Sequence, residues 1–274
     1  MNIVTTTSVF PFDYPCEDAL LRLKAAGFTH LDLAMDYCAE DKNCGFSSDN
    51  WEAWAESLRA LGEKNGVYYT HSHAWGDAGS RHWKTFRCID VCRSLGAKYC
   101  VVHPIYKHDD GSFIMDDEEF VRVNAEAIKP LVEYAEKQGV ILLSENILGG
   151  SSIKATAISA LVEAVNSPCF GWCYDTGHAN VHHISCRELL KCKIPPISLH
   201  IQDNHGTYAD EHLMPGDGDI DWKEFLDVLK EIGYKGEMVL EAHHQSLEAK
   251  DEDRDPILRE IFVRADKMRE YFLK

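Results

Sequence analysis

Residues 198–222 read S-L-H-I-Q-D-N-H-G-T-Y-A-D-E-H-L-M-P-G-D-G-D-I-D-W. Ile197, Leu199 and Ile201 alternate with His200, so an expected strand carries an apolar face on one side and an imidazole on the other. A polar loop follows in which Asp210 and His212 stand two residues apart, a spacing that puts both side chains on one side of an extended chain. Pro215-Gly216 and Gly218 turn the chain, and Asp221-Trp222 opens a helical pattern. A strand that delivers a His into a loop with a second Asp and His has the donors that surround a divalent ion, since zinc and manganese accept imidazole nitrogen and carboxylate oxygen. A polar loop with scattered His is the plainer reading, and the rest of the chain decides between them.

Outward from this stretch, one strand-then-helix unit recurs eight times, roughly every 30 residues. Strands are expected at 2–9, 29–34, 67–74, 97–104, 140–146, 169–175, 197–201 and 237–241. Helices are expected at 14–27, 49–66, 81–95, 116–138, 151–166, 185–192, 222–233 and 256–273. Gly27, Gly66, Gly96 and Gly139 close helices, Asn50 or Ser48 caps the second, Pro130 is expected to kink the fourth, and Pro256 stands near the start of the last. Strands alternating with helices imply parallel βαβ units, and eight of them imply an α/β (β/α)8 TIM barrel rather than an open sheet. Such barrels commonly run to about 250 residues as one domain. Residues 1–274 are therefore expected to form a single domain, with no linker or low-complexity tract to divide them, and the acidic run 248–255 reads as a solvated loop.

Hydrophobic content of 45% and charged content of 27% are ordinary for a soluble enzyme. No apolar run reaches the roughly 18 residues of a membrane span, and no secretory signal is visible at the start. A net charge of −17 repels a phosphate polyanion on average, so nucleic acid is not the expected partner; the nearest basic cluster, Arg81 to Lys84, reads as a solvated helix start. Ten cysteines contain no C-x-x-C pair, and several fall within apolar strands, where free Cys acts as a small hydrophobe. With no signal, a reduced cytoplasmic setting is expected rather than a disulfide framework. Trp51 and Trp54 read first as a buried helical face, with a homo-oligomer interface as the alternative.

Strand C-termini of a parallel barrel point to one face, where catalytic groups gather. From the third strand to the eighth, those ends carry His73, His103, Glu145, Asp175, His178, His200 and Glu241, and Asp210 and His212 follow His200 in its loop. Each alone has a dull explanation as a hydrogen-bonded or first-solvated residue. Coincidence at six consecutive strand ends is harder to dismiss. Of His71 and His73, only one is expected in the mouth. His82, His108, His182, His183, His205, His243 and His244 lack such placement, with His205 and His243 the foremost exceptions. Glu145, Asp175, His200 and Glu241 should form the core of the site. Three carboxylates and one imidazole suit Mn²⁺, Co²⁺ or Mg²⁺ better than a structural Zn²⁺. Two Glu on separate strands can act as acid and base on a bound sugar, while the ion stabilises an enediolate. His73, His103, His178, Asp210 and His212 can complete a second or third metal position, and clustered metals suit phosphoester hydrolysis.

These residues resemble the xylose isomerase-like barrel superfamily, which includes sugar isomerases and epimerases and the endonuclease IV type of AP endonuclease. The resemblance runs from Asn2 to the last helix. It is most specific in Y-D-T-G-H-A-N at 174–180, L-H-I-Q-D-N at 199–204 and D-E-H-L-M-P-G-D-G-D-I-D-W at 210–222. S-H-A-W around His73 looks like the family's H-A-P-F/Y motif, which favours His73 over His71. The resemblance implies two overlays. In the ketose 3-epimerase overlay, Glu145, Asp175, His200 and Glu241 hold one divalent metal, Glu145 and Glu241 exchange protons with the substrate, and His178, with His73 and His103, contacts substrate oxygens. An Arg that follows the His in epimerases is absent here, where the chain reads H-I-Q-D-N-H-G. In the endonuclease IV overlay, all nine residues hold three zincs, yet the acidic chain lacks a basic rim for duplex DNA. The superfamily also hosts dehydratases and lyases acting on oxidised cyclitols or glycosides. The expected activity is a divalent-metal-dependent isomerase or epimerase of a sugar, sugar phosphate or polyol. A multinuclear phosphoester hydrolase, a dehydratase or lyase, and a sugar-binding barrel without chemistry are its rivals.

Overall fold

A computed structural model describes residues 1–274. Its eight strands are β1 (Ile3–Thr6), β2 (His30–Ala34), β3 (Tyr68–Asp77), β4 (Tyr99–His103), β5 (Ile141–Glu145), β6 (Phe170–Asp175), β7 (Ser198–Ile201) and β8 (Glu237–Leu240). They pair in chain order, all parallel, and β8 closes on β1, so the expected barrel is present. The helices are α1 (Cys16–Ala26), α2 (Met35–Glu40), α3 (Trp51–Asn65), α4 (Trp83–Leu95), α5 (Asp117–Gln138), α6 (Ala155–Val165), α7 (Thr176–Val181), α8 (Trp222–Glu231), α9 (His244–Glu248) and α10 (Arg254–Leu273). None is long and apolar enough to cross a membrane.

The pleat sorts side chains between two cores. Cys100, Val102, Leu142, Trp172, Tyr174, Leu199 and Ile201 face outward and join the large core under the helices. Val101, Leu143 and Cys173 face inward and form a separate small plug with Tyr99, Ile141 and Ile197. Two residues further along the same strands stand His103, Glu145 and Asp175. The apolar plug thus fixes which face these three occupy. A one-residue slip would turn them into the helix layer, where each unpaired charge is costly to bury.

The left-handed glycines Gly66, Gly96 and Gly139 end α3, α4 and α5, with φ of 66°, 80° and 71°. Several expectations need correction. The short helices α2, α7 and α9 have too few residues to show a period and were not anticipated. The segment 151–166 divides into a 3-10 turn (Gly150–Ile153) and α6, and the helix expected at 185–192 is a 3-10 helix, Cys186–Lys191. Asn50 is the N-cap of α3 but makes no side-chain cap bond. The acidic run 248–255 is not a free loop. Asp251 and Asp255 pair with Arg22, and Arg254, only 3% exposed, donates to the Ser246 and Ala249 carbonyls. Trp51 and Trp54 are half-buried against the core, and the Arg87 guanidinium lies 4.5 Å from the centre of the Trp51 ring.

Candidate active site at the C-terminal mouth of the barrel

All nine residues expected at the mouth gather there, in three groups. Within each group, one donor atom per residue lies within 4.8 Å of every other. Glu145, Asp175, His200 and Glu241 form one group; His73, His103 and Glu145 a second; His178, Asp210 and His212 a third. Glu145 belongs to two of them. Its Oε1 is 2.7 Å from His200 Nδ1, and its Oε2 is 3.4 Å from His73 Nε2 and 3.2 Å from His103 Nε2. The Glu241 carboxylate lies 3.2 Å from His200 Nδ1 across the same space.

Backbone partners aim these side chains. Asp175 caps α7, its Oδ1 accepting from the His178 N–H at 2.6 Å. Asn146 clamps the ends of β5 and β6 together. Its Oδ1 accepts from Asp175 N at 2.7 Å, and its Nδ2 donates to the Asp175 carbonyl at 3.0 Å. His178 Nδ1 donates to the Asn146 carbonyl at 2.8 Å and His212 Nδ1 to the Glu241 carbonyl at 2.9 Å. Both rings then present Nε2 to the same atom, Asp210 Oδ2, at 3.3 and 3.0 Å. Gln202 Nε2 steadies Asp210 from below through Oδ1 at 2.6 Å.

This donor set fits a divalent ion. Imidazoles whose Nδ1–H is tied to a carbonyl offer Nε2 lone pairs, the usual second-layer support of a metal-binding His. Asp175 Oδ2 is buried without any hydrogen-bond partner, an expensive state for a polar atom unless something else satisfies it. Without an ion, protons must balance the carboxylates. Burial alone would lower the imidazoles, but Glu145 lifts His73 to about 10, and Asp175 with Asp210 lifts His178 well above its ordinary value. Burial would raise Glu145, yet His200, His103 and His73 hold it well below the usual carboxylate range, and His178 and His212 do the same for Asp210. Asp175 goes the other way, pushed up to about 7 by burial and by the neighbouring Glu145 and Glu241 charges.

The groups open into a cavity of about 210 Å³ lined also by Thr6, Ser8, Ala34, Asp36, Tyr37 and His243, with no Lys or Arg in its wall. Asp36, Tyr37, Thr6 and Ser8 were missed by sequence reasoning. Asp36 stands two residues beyond the end of β2, the same strand-end signal that found the others. His243, a foreseen exception, stacks on His212 with centroids 4.0 Å apart, while His205 is exposed and paired with Glu211. Both His71 and His73 point inward, because residues two apart share a strand face. His71 lies deeper, against Ser198 Oγ at 2.9 Å and near Glu237, so the choice between them was one of depth rather than direction.

The family model described as xylose isomerase-like TIM barrel matches residues 20–261. An uncharacterized protein of Methanocaldococcus jannaschii is 33% identical over 159 residues, 56% of this chain and 53% of that one. An inosose dehydratase of Clostridium perfringens is 23% identical over 211 residues, 66% of each chain. The chain therefore spans about half to two-thirds of the length of these curated relatives. Among solved structures, a D-tagatose 3-epimerase-like protein superposes with a TM-score of 0.72 at 23% identity, over 97% of this chain and 99% of that one. The IolI protein with a bound zinc atom superposes with a TM-score of 0.74 at 18% identity, over 99% and 98%. At these identities the structural likeness is one of fold.

Proposed function

Because the chain belongs to the xylose isomerase-like TIM barrel family, we propose that it is a divalent-metal-dependent isomerase or epimerase of a sugar or related polyol. The observation that carries this reading is the convergence of Glu145, Asp175, His200 and Glu241 within 4.8 Å, with Glu145 and Glu241 in the wall of a small polar cavity. The names of the epimerase-like and inosose-processing relatives agree in substrate class. The absence of Lys and Arg from the cavity wall favours a neutral polyol over a phosphorylated one.

A bound Mn²⁺, Co²⁺, Mg²⁺ or Zn²⁺ would be held by those four residues and would supply Lewis acidity to adjacent carbonyl and hydroxyl oxygens. The chain does the rest. Glu241, at the end of β8, and Glu145, at the end of β5, flank the reacting carbon, one removing its proton and the other returning one. His73, His103 and His178 orient substrate hydroxyls. The test is deuterium incorporation from D₂O into ketoses and inososes, with each metal in turn. Exchange at one carbon is expected, together with a loss of roughly 10²–10⁴-fold in Glu241→Gln. No exchange with any metal would overturn the reading, and net loss of water would reassign it to a dehydratase.

A second reading rests on its own observation, the complete second and third groups: the second shares Glu145 with the first, and the third meets it through His178, whose Nδ1 lies 3.6 Å from Glu145 Oε1 and 3.7 Å from Asp175 Oδ1. Nine donors of this kind suit a multinuclear zinc phosphoester hydrolase. Elemental analysis giving two to three tightly held zincs per chain, with cleavage of an abasic duplex at low salt, would favour it. A net charge of −17 opposes a nucleic-acid substrate.

A further inference from the structure

Away from the barrel mouth, three of the ten cysteines converge. Cys16 is the first residue of α1, Cys38 lies within α2, and Cys44 immediately precedes the 3-10 turn Gly45–Ser47. Their sulfurs all lie within 4.8 Å of one another, and Cys16 Sγ is 3.7 Å from Cys38 Sγ. No other three cysteines gather in this way. The geometry points to a second metal site, in which Cys16, Cys38 and Cys44 bind Zn²⁺ or a similarly thiophilic ion as three thiolates.

A tetrahedral ion with sulfurs at about 2.3 Å has neighbouring sulfurs about 3.8 Å apart, so the Cys16–Cys38 spacing already matches one edge of such a polyhedron. A disulfide needs sulfurs at about 2.05 Å and would engage only two of the three, leaving one thiol against the bridge. Cys38 is buried, while Cys16 and Cys44 are partly exposed. The cluster thus lies near the surface, where solvent can supply a fourth donor. Binding releases the three thiol protons to water, and the charge left on the site is that of three thiolates less the ion's two positive charges.

The location gives the site a consequence. Cys38 follows Asp36 and Tyr37 in α2, and both of those line the catalytic cavity. An ion held by Cys16, Cys38 and Cys44 would tie α2 to the start of α1 and to the following turn. The cavity wall would then be fixed by a clip outside the cavity.

The sulfur donors supply a signature that the barrel site lacks, since its three groups contain only His, Asp and Glu. The full-length protein, reduced and freed of metal, is titrated with Cd²⁺ while sulfur-to-cadmium charge-transfer absorption is followed. In parallel, native alkylation of thiols is counted by mass spectrometry. One equivalent of sulfur-bound cadmium is expected, protecting Cys16, Cys38 and Cys44 together. The band should vanish in Cys44→Ser, a partly exposed position, and persist in Asp175→Asn, which alters the barrel group. Zn²⁺ should displace the cadmium. The proposal is overturned by the absence of the band in the folded wild type, by its persistence in both Cys38→Ser and Cys44→Ser, or by a Cys16–Cys38 disulfide in protein prepared without reductant.

Discussion

Asp203→Asn should release the loop between β7 and α8 that carries Asp210 and His212. Asp203 is fully buried. Its Oδ1 accepts from Asn204 N at 3.0 Å and Ile220 N at 3.2 Å, and its Oδ2 accepts from Gly216 N and Trp222 Nε1, both at 2.8 Å. Its backbone exchanges two bonds of 2.9 Å with Leu213. One carboxylate therefore gathers the start, the turn and the end of the loop. Asn has the same shape, but whichever side its NH₂ occupies then faces two donors instead of accepting from them. Hydrogen bonds to a charged group contribute about 1.5–3 kcal/mol each, and two are lost, so the loop should be weakened by about 3–6 kcal/mol. Even 3 kcal/mol raises a local opening equilibrium on the order of 100-fold. Amide hydrogen exchange over residues 204–220 should accelerate by that factor, while β1 to β6 remain protected. In protein loaded with excess Zn²⁺, any ion held by the His178–Asp210–His212 group should be lost more readily than in wild type, read by elemental analysis as a lower ion count per chain. A variant with wild-type protection in this loop and an unchanged ion count would refute the assignment of Asp203 as the loop's anchor.

Gly177→Ala places a Cβ against the Gln202 amide, which holds Asp210. Metal affinity of the third group should fall about 10–100-fold by calorimetry, and an unchanged isotherm would contradict this. Burial lowers His71 below its ordinary 6.5 despite the opposing Glu237 carboxylate, so the unfolded chain takes up this proton first. Its contribution to stability is present above pH 6.5 and is lost as pH falls below it. Comparing chelator-treated proteins isolates this one group: below that pH the melting temperature of wild type should fall relative to that of His71→Gln, and parallel pH profiles would contradict it. Removing metal with a chelator should itself lower the melting temperature. An ion at a thousand times its Kd contributes about 4 kcal/mol, or roughly 8–16 °C, so a melt that ignores the chelator would argue against any tightly held ion.

The barrel and the nine gathered residues were legible because parallel strands deliver their C-terminal residues to one mouth, whatever the loops do. Glu145 needed only the alternation Ile141, Leu143, Glu145, and Asp175 only Gly171, Cys173, Asp175. What escaped has several causes. Asp36 stood within reach of the strand-end rule, two residues past β2, but it and Tyr37 sit on the six-residue helix α2, which is too short for a period to draw attention to it. The role of Asn146 depends on both ends of its amide meeting the Asp175 backbone, a rotamer fact with no sequence signature. The three sulfurs of Cys16, Cys38 and Cys44 come from separate segments, so their spacing in the chain gives no hint of their meeting.

Glu145 links the two proposed chemistries, because its two oxygens face different groups. A general base needs a lone pair directed at the substrate. With one ion in the four-residue group, Oε2 faces only His73 and His103 and can exchange protons. With the second group filled as well, both oxygens are engaged and Glu241 is the one remaining glutamate. Two-sided proton transfer then has no second partner, whereas a multinuclear hydrolytic site is complete. Ion count should therefore set the activity. Deuterium exchange into the substrate should rise up to one Mn²⁺ per chain and decline as further Zn²⁺ enters, with His73→Gln/His103→Gln protein resisting the decline. If exchange instead keeps rising until every group is filled, Glu145 is not the base, and proton transfer must be sought among the carboxylates that remain, Glu241 and Asp36.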